Sequence, residues 1–305
     1  MSDEQDSGDA VQIISHKFRS VTTIEPTCNV PERKKSSKTN SSEENRPYIV
    51  DEKPTMQNIS ELNLSERILF VIDTVEEPNS TMFKLSNGTK YSTLFMIKRI
   101  VENFVCAKST IQRSHEYAII TLNSEGYQWI CDFTNNIKTI VNHLDTITED
   151  PIQDQQRTCD IGGILERIQT RFSSSIKHYN SPIPPYVTRV ILIYARSNCI
   201  PTFNPAKKYF QTLTQNPYFF LDALYVHEPP SEENICEEIY AKIAALDTTN
   251  YSYIFEVGRN ATKIHDNMAK LLAHPLQRPL QRDASYKTFS RRVSRHVCTY
   301  CILVT

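Results

Sequence analysis

With 305 residues, the chain has room for one large domain or two small ones. A formal net charge of -1 supplies no global field to draw nucleic acid or an acidic membrane, and 39% hydrophobic residues point to ends that join no core. Only six glycines are present, none in a G-x-G-x-x-G or Walker arrangement, which excludes the usual phosphate-cradling loops.

Residues 1–62 read as a disordered polar tail, rich in Ser, Glu, Lys and Thr. Its start, "MSDEQDSGDA", is acidic where a secretory leader is basic and then apolar, so the eight scattered cysteines are expected to be free thiols of a reducing compartment. The cluster Arg33, Lys34 and Lys35 is read as solvated charge rather than an import signal. No apolar run approaches the roughly 20 residues that span a bilayer. A soluble chain of cytoplasm and nucleus is expected.

From Arg67 the texture changes. "RILFVID" predicts a buried strand that ends in Asp73, and "TLFMIKRIVENFVCAK" predicts a helix with Leu94, Ile97, Val101 and Phe104 on one stripe. "EYAIITLN" and "YQWICDF", split by Ser124, Glu125 and Gly126, predict a hairpin. A short helix follows at "NNIKTIVNHL". Another opens at "DIGGILERIQTRF", with Asp160 as N-cap and Ile161, Ile164, Leu165, Ile168 and Phe172 as its apolar face. After the proline-rich "YNSPIPPY" come strand "TRVILIYAR", a helix near "PAKKYFQTL" and strand "YFFLDALYVH". The last three elements are helix "ENICEEIYAKIAAL", strand "YSYIFEV" and helix "ATKIHDNMAKLLA". Alternating strands and helices predict an α/β domain over residues 63–273: a doubly wound, mainly parallel six-stranded sheet, helices on both faces, one antiparallel edge strand.

A strand ending in Asp73, a long helix, a hairpin and a helix opening at Gly162 and Gly163 together resemble a von Willebrand factor A domain. In that family a metal ion sits above the sheet, held by Asp-x-Ser-x-Ser, a threonine before the glycine helix, and an aspartate after the fourth strand. A hard divalent cation needs several oxygens in near-octahedral array. Here Asp73 matches and Thr158 stands for the threonine, but Val75 and Glu77 replace the serines, and Ala195 and Arg196 fall where the second aspartate is expected. The reading is a retained fold with a degenerate site: no bound metal and no cofactor. A metal-dependent ligand binder using Asp73 is the alternative, and an α/β hydrolase is a third reading without a nucleophile motif to support it.

Five stretches narrow the resemblance: "SHEYAII" from Ser114, "PPYVTRVILIYAR" from Pro184, "NPYFFLDALYVH" from Asn216, "MAKLLAHPLQRP" from Met268 and "ASY" from Ala284. They are similar to the A-domain adaptor subunits of the BRISC deubiquitinase complex and its breast-cancer-associated sister complex. That resemblance implies a non-catalytic scaffold. It also implies as partner the subunit built of ubiquitin-conjugating-enzyme-like domains and, indirectly, a metalloprotease-type deubiquitinase with its pseudo-enzyme companion. It implies roles in lysine-linked ubiquitin signalling and the DNA damage response, without nucleic-acid or membrane binding.

Residues 274–305 are expected to leave the domain as an extended docking tail. It carries a tandem Pro-Leu-Gln-Arg: Pro275, Leu276, Gln277 and Arg278, then Pro279, Leu280, Gln281 and Arg282. Fixed prolines lower the entropy lost on docking, and each Leu and Arg can enter a pocket or meet a carboxylate. The other reading of the segment is a strap packed on its own domain. Cys298 and Cys301, near His296, form a single Cys-x2-Cys without a second pair, too few ligands for zinc. His115, His143, His227 and His265 lie on separate elements and are read as core or surface histidines, and Tyr218, Phe219 and Phe220 as core.

Overall fold

The strand ending in Asp73 lies at the centre of the sheet. β1 (Ser65–Asp73) is flanked by β2 (Glu116–Leu122) and β4 (Tyr186–Tyr194), both parallel to it. Beyond β4 lie β5 (Phe219–Val226) and β6 (Ile254–Val257), also parallel. β3 (Tyr127–Thr134) pairs antiparallel with β2 at the other edge, giving the order β6-β5-β4-β1-β2-β3. This is the six-stranded, one-antiparallel-edge sheet that the sequence predicts. The structure, a computed structural model, describes residues 62–152, 156–176, 183–203, 207–293 and 297–304. The tail expected over 1–62, including Arg33, Lys34 and Lys35, lies outside them except for Leu62, as does His296.

Six helices cover the sheet among the described residues: α1 (Thr93–Ile111), α2 (Ile137–Thr146), α3 (Gly162–Ile176), α4 (Lys207–Thr214), α5 (Cys236–Ala244) and α6 (Ala261–Lys270). Successive residues of a strand point to opposite faces, and both faces here are apolar. Ile68, Phe70 and Ile72 of β1 pack with α1, α2 and α6, while Leu69 and Val71 pack with α3, α4 and α5. The predicted stripe of α1 is buried at Leu94, Ile97, Val101 and Phe104.

Local chemistry fixes the helix starts. Ser92 Oγ accepts from Phe95 N–H, Asn136 Oδ1 from Thr139 N–H and Asn260 Oδ1 from Lys263 N–H, each at the N-cap of its helix. Asp160 lies one residue further out, its Oδ1 accepting from Gly162 N–H at 2.8 Å. Glycine at 163 has a packing reason: a Cβ there would stand 3.0 Å from the ring of Tyr127 on β3. Gly126, at φ +145°, closes the β2–β3 turn in a conformation open to glycine.

The chain after α6 differs from expectation. The helix ends at Lys270 and the backbone turns back, Gln277 and Arg278 N–H both donating to His274 C=O at 3.0 Å. The segment therefore does not leave the domain extended. Past a single helical turn at Gln281–Asp283, the backbone forms a hairpin of β7 (Tyr286–Val293) and β8 (Val297–Val304), paired from Tyr286↔Val304 to Val293↔Val297. The apolar residues of β7, Tyr286, Phe289 and Val293, neither alternate nor form a run, so periodicity carries no sign of the strand.

Candidate functional site

The sheet carries a buried polar cluster at each end. At the carboxyl ends of the parallel strands, where open α/β folds place their sites, Asp73 is buried against the end of β4. Its Oδ2 accepts from Ala195 N–H at 3.1 Å, and Arg196 Nε lies 3.1 and 3.2 Å from its two oxygens. Val75 N–H adds a bond to Oδ1 at 3.3 Å. Arg196 also donates from Nη2 to Asn123 C=O at 3.1 Å, in the β2–β3 turn. Burial holds the Asp73 carboxyl above its ordinary range, although the guanidinium, which stays charged at any physiological pH, and the backbone donors act against it.

Glu77 completes the same cluster. Its carboxylate takes Ser197 N–H at 2.6 Å and Asn198 N–H at 2.9 Å. Glu228, just past β5, accepts from Thr81 N–H at 2.8 Å and from Arg259 Nε at 2.9 Å, and its own N–H donates to Ser197 Oγ at 2.9 Å. A cavity of about 20 Å³ remains beside Asp73, bordered by Glu76, Glu77, Thr93 and Glu149, room for about one water.

These residues do not fit a divalent ion. Both oxygens of Asp73 are engaged by Arg196, Val75 has no side-chain oxygen to offer, and Thr158 is exposed on a short strand (Thr158–Asp160) outside the cavity wall. No cluster of three or more His, Cys, Asp or Glu side chains among the described residues is placed to hold a metal. Arg196, which falls where the second aspartate is expected, forms an ion pair with Asp73.

At the opposite end, the predicted docking residues divide. Pro275, Leu276 and Arg278 are buried, Gln277 and Arg282 exposed, Pro279, Leu280 and Gln281 intermediate. Arg278 grips Asp222 on β5 with both Nη atoms, at 2.5 and 2.9 Å, and its guanidinium lies 3.9 Å from the ring centre of Tyr253. Asp222 also accepts from Arg189 Nε at 2.7 Å, Arg189 reaches Glu66 at 3.1 Å, and Glu66 pairs with Lys108. Burial alone would raise Asp222 and Glu66; Arg278 and Arg189 hold the first below the usual carboxylate range, Lys108 and Arg189 the second.

Two histidines join this network as neutral rings. His274 accepts Leu276 N–H at Nδ1 (3.2 Å) and lies 3.0 Å from Leu64 C=O at Nε2, while His115 Nδ1 accepts Glu66 N–H at 2.9 Å. Burial lowers both, His115 to about 4. Gln281 pairs its carboxamide with both backbone groups of Ile254, at 2.7 and 2.8 Å, as a neighbouring strand would. His227 is buried beside Tyr225, and Tyr218, Phe219 and Phe220 are core. The network had a sequence signal that was not used: lone charges, Glu66, Arg189 and Asp222, inside otherwise apolar strands.

The sheet and the aspartate at its carboxyl end define a von Willebrand A-like domain in which that aspartate is paired with an arginine. No protein-family profile matches the chain. Among solved structures it overlays on the SpRpn10 VWA domain with a TM-score of 0.45 and 12% identity, over 70% of this chain and 97% of that one. Curated relatives are much closer in sequence. "BRISC and BRCA1-A complex member 1" of Homo sapiens is 34% identical over 234 residues, 74% of this chain and 68% of the relative, as is that of Mus musculus. The Xenopus laevis protein of the same name is 32% identical over 229 residues. The chain belongs to the BRISC and BRCA1-A complex member 1 family. Among its described residues, no helix is long and apolar enough to cross a membrane.

Proposed function

We propose that this protein is a non-catalytic scaffold subunit of a BRISC-type deubiquitinase assembly. The observation that carries this reading is the relationship, over 74% of the chain, to proteins named as members of those complexes. Its principal partner is the conjugating-enzyme-like subunit, through which it reaches the metalloprotease-type deubiquitinase and its pseudo-enzyme companion. The enzyme it supports cleaves non-degradative, lysine-linked ubiquitin chains in cytoplasm and nucleus, with a role in the DNA damage response. The contribution is architectural: contact area that stabilises the arrangement in which another subunit works.

Within this reading, docking falls to the A-like domain and to the second Pro-Leu-Gln-Arg copy. Leu276 and Arg278 already have partners inside the fold, whereas the Arg282 side chain is 76% exposed and Leu280 lies beside it. The boundary between residues 273 and 274 then separates sequence regions rather than physical ones. Truncation after Ala273 is a poor test, because it strips Arg278 from Asp222. The informative variants are Leu280→Asp and Arg282→Glu in the full chain, used as bait in its own cells. The wild-type bait should recover a deubiquitinase and its conjugating-enzyme-like companion, and the double variant roughly tenfold less, the loss of about 1.4 kcal/mol at one hot spot. Recovery of neither protein by the wild-type bait rejects the function. Equal recovery by the variant rejects the docking role alone.

A further inference from the structure

The departures from the metal-binding pattern are coordinated. Where hydroxyls would leave positive charge on an ion, the chain after β1 brings two carboxylates, Asp73 and Glu77. The end of β4 brings a guanidinium and three backbone donors, the N–H groups of Ala195, Ser197 and Asn198. The two sets meet in one buried cluster.

We propose that Arg196 is the resident cation of this domain: it does permanently what a bound ion does in a metal-holding A domain, so that the loops over the sheet adopt one arrangement whether or not divalent ions are present. Three observations carry this. First, Arg196 bridges the centre of the sheet. Nε faces both oxygens of Asp73 at the end of β1, Nη2 reaches Asn123 after β2, and Nη1 lies 3.7 Å from Cys199 Sγ after β4. Second, Asp73 and Arg196 are each only 1% exposed. An entering ion would have to expel a buried guanidinium that cannot give up its proton, and would compete for a carboxylate whose charge is already matched.

Third, the pairing extends outward. Glu77 fastens the loop after β1 to Ser197 and Asn198; Ser197 Oγ receives Glu228 N–H; and Glu228 holds Thr81 and Arg259. The ends of β1, β2, β4, β5 and β6 are thus joined by hydrogen-bonded side chains, two of the three carboxylates (Asp73 and Glu228) paired with guanidinium groups and the third (Glu77) held by backbone N–H groups. Each charge of such a network is well placed only while the others remain.

The test uses the full chain in four forms: wild type, Arg196→Gln, Asp73→Asn and the double variant, each melted in EDTA and in millimolar magnesium. The wild type should give one Tm in both solutions. Arg196→Gln should lose roughly 10 °C, because a buried carboxylate is left unpaired. The double variant, with two neutral amides, should recover part of that loss. A wild-type Tm that rises with magnesium, with the rise abolished by Asp73→Asn, would overturn the proposal. So would a double variant whose loss is simply the sum of the two single losses. Should Arg196→Gln fail to fold, the wild-type comparison in EDTA and magnesium decides alone.

Discussion

Identical tetrapeptides in tandem hold two different arginines. Arg278 is 8% exposed and bidentate to Asp222, whereas Arg282 stands in solvent 3.7 Å from Asp283. Removing one partner of a buried pair strands the other, a cost of about 3–5 kcal/mol, while an exposed pair contributes about 0–1 kcal/mol. Arg278→Met should therefore lower unfolding free energy by about 3 kcal/mol or more, and Arg282→Ala by less than about 1 kcal/mol. Urea unfolding of both variants checks this, and equal midpoints would contradict the assignment. Sequence reasoning treated the two arginines alike because Asp222 lies 56 residues before Arg278, a separation at which composition and periodicity are silent. What could be read was Asp222 itself, an acid set in "FFLDALYV" and in need of a partner.

Among elements, strands were more legible than their edges. A continuous apolar run such as "RILFVID" declares burial on both faces, and the turn at Ser124–Gly126 declares a hairpin; both predictions match the sheet. The edge strand β6 is less plain. "YSYIFEV" predicts seven residues, yet the strand is Ile254–Val257, with Tyr253 N–H donating to the Asp222 carboxylate at 2.7 Å instead of to a neighbouring strand. Gln281 then caps Ile254, so a side chain from the strap satisfies edge groups that a further strand would otherwise satisfy. Gln281→Leu should leave a half-buried N–H and C=O unpaired. Amide exchange at Ile254 should quicken at least tenfold, following a local loss of about 1.4 kcal/mol, with exchange in β1 unchanged. Unaltered protection at Ile254 would show that the cap contributes nothing. The cation position was legible in its departures, Val75, Glu77 and Arg196, but not in its outcome. A list of missing ligands does not reveal that the intruding arginine pairs with the surviving aspartate.

For the molecule as a whole, acid stability follows from the two neutral histidines. His115 is held at about 4, below the ordinary 6.5, and His274 is lowered as well, in both cases chiefly by burial. At these two rings the unfolded chain therefore binds more protons than the folded one as pH falls from about 6.5 toward 4, which lowers stability through that window, while the raised carboxyls of Asp73 and Glu77 act in the opposite sense. His115 alone accounts for about 3 kcal/mol across it. Below that range Glu66 and Asp222, both held low by their cationic partners, extend the loss as they protonate. Unfolding free energies near pH 7.5 and about pH 5 should differ clearly in the wild type and less in His115→Gln, whose side-chain oxygen can still accept the Glu66 N–H. The same pH dependence in wild type and His115→Gln would show that the ring of His115 is not held neutral.

The strap also sets a schedule for biosynthesis. Glu66, Arg189 and Asp222 have all been translated before Arg278 exists, and until it arrives Asp222 lacks the guanidinium that grips both its oxygens. Folding that proceeds from the N-terminus during synthesis thus cannot finish until Arg278 has been translated. A premature stop codon shortly before residue 278 would release a complete sheet with Asp222 only partly paired, a substrate for quality control rather than a shorter working subunit.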